Sequence, residues 1–411
     1  MRLVLKNIGS LLMAEIEPEV FVAGARMETV QSISNAWLAI ENGLIACFGE
    51  GEVIPFSDDE VLDCEGGMVM PAFCDSHTHL VYAGSREREY EDKIRGMTYE
   101  EIASRGGGIL NSAALLSKTT EEALYQQSLR RIMEIIRSGT GAVEIKSGYG
   151  LNTKDELKML RVIRRLELGT EITIKSTFLG AHAIPAAFRS DPDKYVDLVI
   201  GEMIPAVAAE KLAEYIDVFC DRGFFTVKQT QRLLEAGAKY GMIPKIHANE
   251  LDFSGGIQVG VKYGALSVDH LECTGEAELE ALKNSTTMPT LLPGASLFLG
   301  IPFAPARRII GAGLPLALAS DYNPGSSPSG NMELIMSLGM MQLRMLPYEV
   351  LNAVTINGAY AMGLDKTHGT ITPGKVANLV VTHPMPGFGF MPYSYGSSQI
   401  SKVILNGNIQ S

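Results

Sequence analysis

Cysteine is scarce and scattered: Cys47, Cys64, Cys74, Cys220 and Cys273 are odd in number and form no CxxC pair. That argues against a disulfide framework and against a thiolate zinc site, and leaves buried free thiols. Runs of lysine and arginine are missing, and 35 basic against 47 acidic residues give a net charge of −12. A chain so charged repels a phosphate backbone, so nucleic acid is not an expected partner. Long apolar runs are also lacking: the uncharged stretch from Asn284 to Ala306, for example, is broken by Pro289, Pro293, Pro302 and Pro305. Proline inside a helix removes a hydrogen bond and clashes with the preceding turn, so neither a spanning helix nor a membrane partner is expected. Near the N-terminus, Lys6 and Glu15 bracket a short apolar run with no clear small-residue cleavage site, and a cytoplasmic location is the default expectation.

What is present is a chain of 411 residues, 46% hydrophobic and 20% charged, able to bury a large core in one or two domains. Eight short apolar runs end at Gly, Pro, Asp or Asn. They begin at Met68 (MVMPAFCDSH), Gly141 (GAVEIKSG), Ile172 (ITIKSTFLG), Tyr215 (YIDVFCD), Met242 (MIPKIHA), Ala265 (ALSVDHL), Thr286 (TTMPTLLPG) and Leu314 (LPLALASD). Helical patterns such as TKDELKMLRVIRRLEL and TVKQTQRLLEAGAKYG lie between most of them. Strand and helix alternating eight times is the arithmetic of an α/β fold, a (β/α)8 TIM barrel; an open doubly wound sheet competes, but no GxGxxG turn follows the first strand. Both ends read as all-β, with AWLAIENGLIACFG in one and VANLVVTHP and ISKVILNGNI in the other, each half carrying an Asn-Gly turn signal. The expected division is a composite β-sandwich domain from residues 1–64 and 369–411 around a catalytic barrel at 65–368. Two unrelated β extensions are the alternative.

Seven histidines are present, so their placement carries information. His77 and His79 end the first strand, and side chains two apart on a strand point the same way, here into the barrel mouth. His247, His270 and Asp321 end the fifth, sixth and eighth strands. Imidazoles with one carboxylate and an open position suit a catalytic zinc or iron ion rather than a closed structural site; taken singly, each reads as well as a hydrogen-bonded core histidine. Glu250 in HANE and Asn323 in SDYNPGSSP fall at the same ends. A carboxylate beside water acidified by a metal can move protons, which is hydrolase chemistry.

This order of residues resembles the amidohydrolase superfamily: HxH after strand one, His after strands five and six, Asp after strand eight. Its binuclear members carry a modified lysine after strand four, where this chain has YIDVFCDRG, so the resemblance implies a mononuclear site. Within the superfamily the chain is similar to the branch that hydrolyses the cyclic amide 4-imidazolone-5-propanoate to N-formimidoyl-L-glutamate in histidine degradation. The similarity spans essentially the whole chain, through DSHTHLVYAGSRERE, RGGGIL, EIKSGYGLNTKDELKMLRVI, STFLGAHAIP, KIHANE, LSVDHLE, LLPGASLFLG and SDYNPGSSP. The resemblance implies one zinc or iron ion on His77, His79, His247 and Asp321. It implies contacts to a small-molecule substrate or product from Arg86, Tyr149, His182, Glu250, Asn323, Gly325 and Ser326, and a catalytic set of Glu250, His270 and Asp321. It also implies a homodimer.

Some of these roles have independent physical sense. Arg86 offers a planar fork for a propionate, Tyr149 a hydroxyl, Gly325 a close backbone approach and Ser326 a donor, although a solvated loop arginine, a packing aromatic and a plain turn fit as well. An aminohydrolase of a purine or pyrimidine ring shares the pattern and would release ammonia; a silent metal-binding or ligand-binding relative is the other alternative. Gly106 to Gly108 lack a following GK[ST] and read as a mobile loop that covers the site rather than a phosphate cradle. Lys146 reads as the partner of a neighbouring carboxylate, His368 and His383 as structural or surface residues, and the methionines of Met332 to Met345 as core filler on a helix.

Overall fold

A computed structural model describes residues 2–97 and 108–410; Gly106 and Gly107 of the glycine loop lie outside the described residues. The chain opens with β1 (Arg2–Leu12), β2 (Ser32–Glu41), β3 (Leu44–Glu50), β4 (Glu60–Asp63) and β5 (Met68–Pro71). Among the described residues, eight parallel strands follow in chain order. They are β6 (Phe73–Thr78), β7 (Thr140–Lys146), β8 (Thr173–Ala181), β9 (Tyr215–Cys220), β10 (Ile243–Ala248), β11 (Ser267–His270), β12 (Met288–Leu291) and β13 (Ala317–Leu318). Strands β6, β7 and β9 are buried along their whole length, as strands covered on both faces must be. The ring closes where Thr78 bridges Tyr322, with Asp321 N–H donating to His77 C=O and His79 N–H to Tyr322 C=O, both at 3.0 Å. Asp75 reinforces the seam by accepting from the Ser320 N–H at 2.9 Å and its hydroxyl at 2.5 Å.

The helices form where the 3.6-residue pattern places them. In Thr153–Gly169 the Asn152 side chain caps the start by accepting from the Asp155 N–H, and Met159, Leu160, Ile163 and Leu166 form the face buried toward β8. Replacing one such leucine with alanine costs about 2–5 kcal/mol through lost burial and the cavity left behind. Val227–Ala238 starts with a capping box between Thr226 and Gln229.

The two ends of the chain join in one mixed sheet. The C-terminal strands are β14 (Leu379–Thr382), β15 (Ile400–Leu405) and β16 (Asn408–Ile409), and the order is β16-β15-β14-β5-β1-β2-β3, with β4 paired to β1. Both Asn-Gly signals are two-residue hairpins. Asn42 and Gly43 have φ of 52° and 79°, and Asn406 and Gly407 have 49° and 78°, the left-handed pair that matches the strand twist. A separate core of Leu5, Ile8, Leu11, Leu38 and Ile404 lies under this sheet.

One strand differs from the sequence reading. The run MVMPAFCDSH is not a single barrel strand, because Met68–Pro71 pairs with β14 and β1 in the terminal sheet and only Phe73–Thr78 enters the barrel. Pro71 has no N–H to continue a ladder, so the chain changes sheets there. The cysteines are free; Cys64, Cys74 and Cys220 are buried, whereas Cys47 is exposed on the outer face of β3.

His368 packs at the barrel end opposite the mouth, its Nε2 3.0 Å from the Thr173 hydroxyl at the start of β8 and its Nδ1 2.8 Å from that of Thr367; His383 is exposed. Burial, then the Lys375 and Lys175 ammonium groups, push the His368 imidazole down to about 4 from 6.5. A depressed pKa means the folded state favours the neutral ring, so its stabilising contribution is complete above pH 6.5 and is lost as pH falls toward 4. His368→Gln is therefore expected to lose less thermal midpoint than the parent over that acid interval, and parallel melting curves of the two proteins would contradict this.

Candidate active site

Barrel closure sets the ends of β6 and β13 side by side, and the site is built there. His79 Nε2 lies 3.2 Å from His247 Nε2, and one nitrogen from each of His77, His79 and His247 falls within 4.8 Å of the others. Asp321 Oδ1 is 3.5 Å from His77 Nε2 and 3.6 Å from His79 Nε2. The outer nitrogens face carboxylates: His77 Nδ1 shares a hydrogen bond with Asp269 Oδ2 at 2.6 Å, and His247 Nδ1 lies at ion-pair distance, 2.9 Å, from Asp217 Oδ2 without hydrogen-bond alignment. An imidazole held this way presents its Nε2 lone pair inward, and the buried His77 Nε2 has no hydrogen-bond partner. Burial and the Lys146 ammonium hold His77 well below its ordinary pKa, and burial and His182 do the same for His79, so both are neutral, the form that ligates. Three converging imidazoles and a carboxylate fit a single divalent ion.

Above this cluster opens a cavity of 390 Å³ whose lining includes His79, His247, His270 and Asp321. Tyr149 and His182 also line it. The His182 ring stacks on His79 at 4.9 Å and 15°, its Nδ1 3.0 Å from the Gly148 carbonyl. Asn323, Gly325 and Ser326 contribute a tight turn in which Asn323 Oδ1 accepts from the Gly325 and Ser326 N–H groups, both at 2.8 Å, while the Ser326 hydroxyl lies 3.2 Å from Asp321 Oδ2. Arg86 packs against that turn so closely that a Cβ on Gly325 would sit 1.9 Å from its guanidinium. Glu89 holds the same guanidinium at 2.7 Å and accepts from the Gly108 N–H.

Glu250 is positioned by the turn after β10, where Asp221 accepts from the Glu250 and Leu251 N–H groups at 2.8 and 2.9 Å. Its Oε2 is 3.6 Å from His270 Nε2, and Glu272 Oε2 is 3.7 Å from His270 Nδ1. Burial raises the Glu250 pKa against the pull of His270; burial works against the charged form of His270 too, but Glu250 and Glu272 outweigh it and raise that pKa. His270 has φ +90° and Leu271 +66°, conformations that L residues rarely adopt and that the packed strand end holds in place.

The cavity thus brings together every site residue expected from the sequence, with His77 just beneath its floor. Sequence reasoning missed the apolar walls, Phe219, Phe224, Leu251, Leu299 and Ile301, which resemble any other hydrophobic residue in the chain, and Lys93 at the rim. It also missed Asp217 and Asp269, whose signal was a carboxylate inside an otherwise apolar strand. Lys146 has the carboxylate partner expected of it, Glu144 at 2.7 Å. A larger hollow of 570 Å³ on the terminal sheet, among Leu3, Ile40, Leu44 and Asn406, contains no histidine.

Residues 68–410 match the amidohydrolase family. Over 410 residues, covering 100% of both chains, the sequence is 53% identical to the imidazolonepropionase of Christiangramia forsetii. The chain belongs to the imidazolonepropionase family of amidohydrolases. Another imidazolonepropionase, from Geobacillus kaustophilus, is 43% identical over 390 residues, 93% of this chain and 92% of that one. Among solved structures, the guanine deaminase of E. coli superposes with a TM-score of 0.76 at 14% identity, covering 100% of this chain and 99% of the other. The atrazine chlorohydrolase of Arthrobacter aurescens TC1 complexed with zinc gives 0.75 at 14% identity over 99% of this chain and 94% of that one. At such identity these two share the fold alone. Among the described residues no helix is long and apolar enough to cross a membrane.

His247→Ala removes one converging nitrogen and leaves Asp217 without its imidazole. Metal content, measured by elemental analysis after purification, is expected to fall from stoichiometric to near zero; a variant that keeps its metal would remove His247 from the ligand set.

Proposed function

We propose that the cavity hydrolyses the ring C–N bond of 4-imidazolone-5-propanoate to give N-formimidoyl-L-glutamate, with one zinc or iron ion on His77, His79, His247 and Asp321. The observation that carries the reading is the Arg86 guanidinium set against Gly325 in the same cavity as the converging imidazoles, a carboxylate fork beside a hydrolytic centre. The ion, when bound, supplies the positive charge that polarises a carbonyl or acidifies water.

The chain's own groups supply the rest. Arg86 takes the propionate in a charge-assisted contact from the end of the guanidinium that Glu89 leaves facing Gly325. Tyr149 and His182 bound the ring, and the backbone of Gly325 and the hydroxyl of Ser326 complete the polar contacts. Water oxygen adds to the ring carbonyl carbon, the C–N bond breaks, and the ring nitrogen leaves with a proton. Glu250 is suited to carry that proton because its burial raises its pKa toward neutrality, and His270, kept cationic by Glu250 and Glu272, is suited to stabilise the developing oxyanion. Asp321 is the remaining carboxylate that can share the proton transfer. The same proposal takes residues 65–368 as the catalytic domain and 1–64 with 369–411 as the composite β domain, with β5 (Met68–Pro71) crossing over to pair in the sheet of the latter, in a cytoplasmic homodimer.

The test is the ultraviolet loss of freshly generated substrate above its spontaneous rate, with identification of the product. N-formimidoylglutamate is expected; release of ammonia would point instead to ring deamination. Arg86→Ala is expected to raise KM by roughly tenfold or more, on the order of the 1.5–3 kcal/mol of a charged hydrogen bond, with kcat nearly unchanged. An unaltered KM would end its carboxylate role. Glu250→Gln is expected to lower kcat by roughly 10²–10⁴, the range for a proton-transfer group, without loss of bound metal.

A further inference from the structure

Beneath the imidazole cluster lies a layer of five buried charges that the reaction does not touch: Glu144 and Lys146 on β7, Asp217 on β9, Lys245 on β10 and Asp269 on β11. Burying ions costs several kcal/mol each, and apolar residues of similar volume often give equal or greater stability, so such a layer is weak evidence for a stabilising role. Its connections suggest another role. Lys146 Nζ lies 2.9 Å from Asp217 Oδ2 and 3.6 Å from Asp269 Oδ2, besides 2.7 Å from Glu144. Those two aspartate oxygens are the same atoms that hold His247 Nδ1 at 2.9 Å and His77 Nδ1 at 2.6 Å. One ammonium on β7 therefore ties together two carboxylates from two other strands, and each carboxylate fixes the ring of one converging imidazole. Lys245 is placed differently, on the second oxygen of Glu144 at 2.5 Å and on the carbonyls of Ser76 and Ala361.

We propose that Lys146 is a positioning residue for the metal centre, fixing His77 and His247 together through Asp269 and Asp217. The geometry explains why a cation belongs there. Two carboxylates approaching one point repel; the Ser267 hydroxyl and the His247 backbone N–H anchor their Oδ1 atoms, and the shared ammonium offsets the repulsion between the two Oδ2 atoms that face the rings. Because outer partners of ligating histidines set ring orientation and basicity, their loss typically weakens metal affinity by roughly 10–100-fold.

The inference rests on the proposed ligation by His77, His79 and His247, and cobalt(II) separates the two. Titrated into metal-free protein, cobalt is expected to give the parent strongly shifted, exchangeable imidazole N–H proton signals. Their absence in the parent would overturn the ligand set itself. In Lys146→Met, the cobalt affinity from chelator competition is expected to fall by roughly 10–100-fold, and the His77 and His247 N–H signals to shift or broaden. Lys146→Gln, which keeps a donor, tests the same point if the methionine variant does not fold, and is expected to show the same loss in smaller measure. A folded variant with the parent's cobalt affinity and unshifted signals, altered only in thermal midpoint, would leave Lys146 a structural ion and overturn the proposal.

Discussion

The backbone seam between β6 and the segment after β13 is the contact on which the rest depends. A barrel of parallel strands has no free edge only if its first and last strands meet, and here they meet through the peptide groups of His77, His79, Asp321 and Tyr322. Because the same residues carry the converging side chains, closing the sheet and assembling the site are one event. Asp75 and Ser320, a layer below, make the seam specific, since a slipped register would bury the Asp75 carboxyl without its two donors.

The barrel interior buries a cluster of charged residues. Glu144, Lys146, Asp217, Lys245 and Asp269 stand where aliphatic residues would fill such a core, and each has a charged or imidazole partner on another strand. Such a core gains little from burial itself and much from order. Rings braced by carboxylates cannot turn freely, so the cluster enters its working geometry without an entropic penalty at the moment of use.

Much of this was legible in the sequence, for reasons that can be named. The eight apolar runs gave the barrel because fully buried strands need near-continuous hydrophobicity, and the strand-end histidines and Asp321 were visible because alternation fixes which way they point. Both Asn-Gly pairs announced hairpins because few other residues adopt two left-handed conformations in succession. Pro71 alone does not reveal the change of sheet, since an extended run looks the same whether it stays in one sheet or changes to another. Asp217 and Asp269 were hidden by their surroundings: a single carboxylate in an apolar strand does not say which histidine, on a different strand, it will meet. The site's apolar walls were unreadable, since Phe219 and Leu299 differ from core residues only by where the fold leaves space.

Asn378 has a consequence for how the chain is made. Its carbonyl accepts from the Ala72 N–H, its side-chain amide donates to the Gly141 carbonyl, and its Oδ1 accepts from the Asn406 N–H, so one residue joins the entry to β6, the start of β7 and the last hairpin. Strand β5, which leads the chain into the barrel, pairs with β14, and that partner leaves the ribosome only after all eight barrel strands. Until then the first strand hangs from an unfinished sheet with an open edge, a template for mispairing with another nascent chain. Completion of the terminal sheet therefore waits on the far end of the polypeptide, and a chain interrupted before Leu379 would leave the β5 edge open.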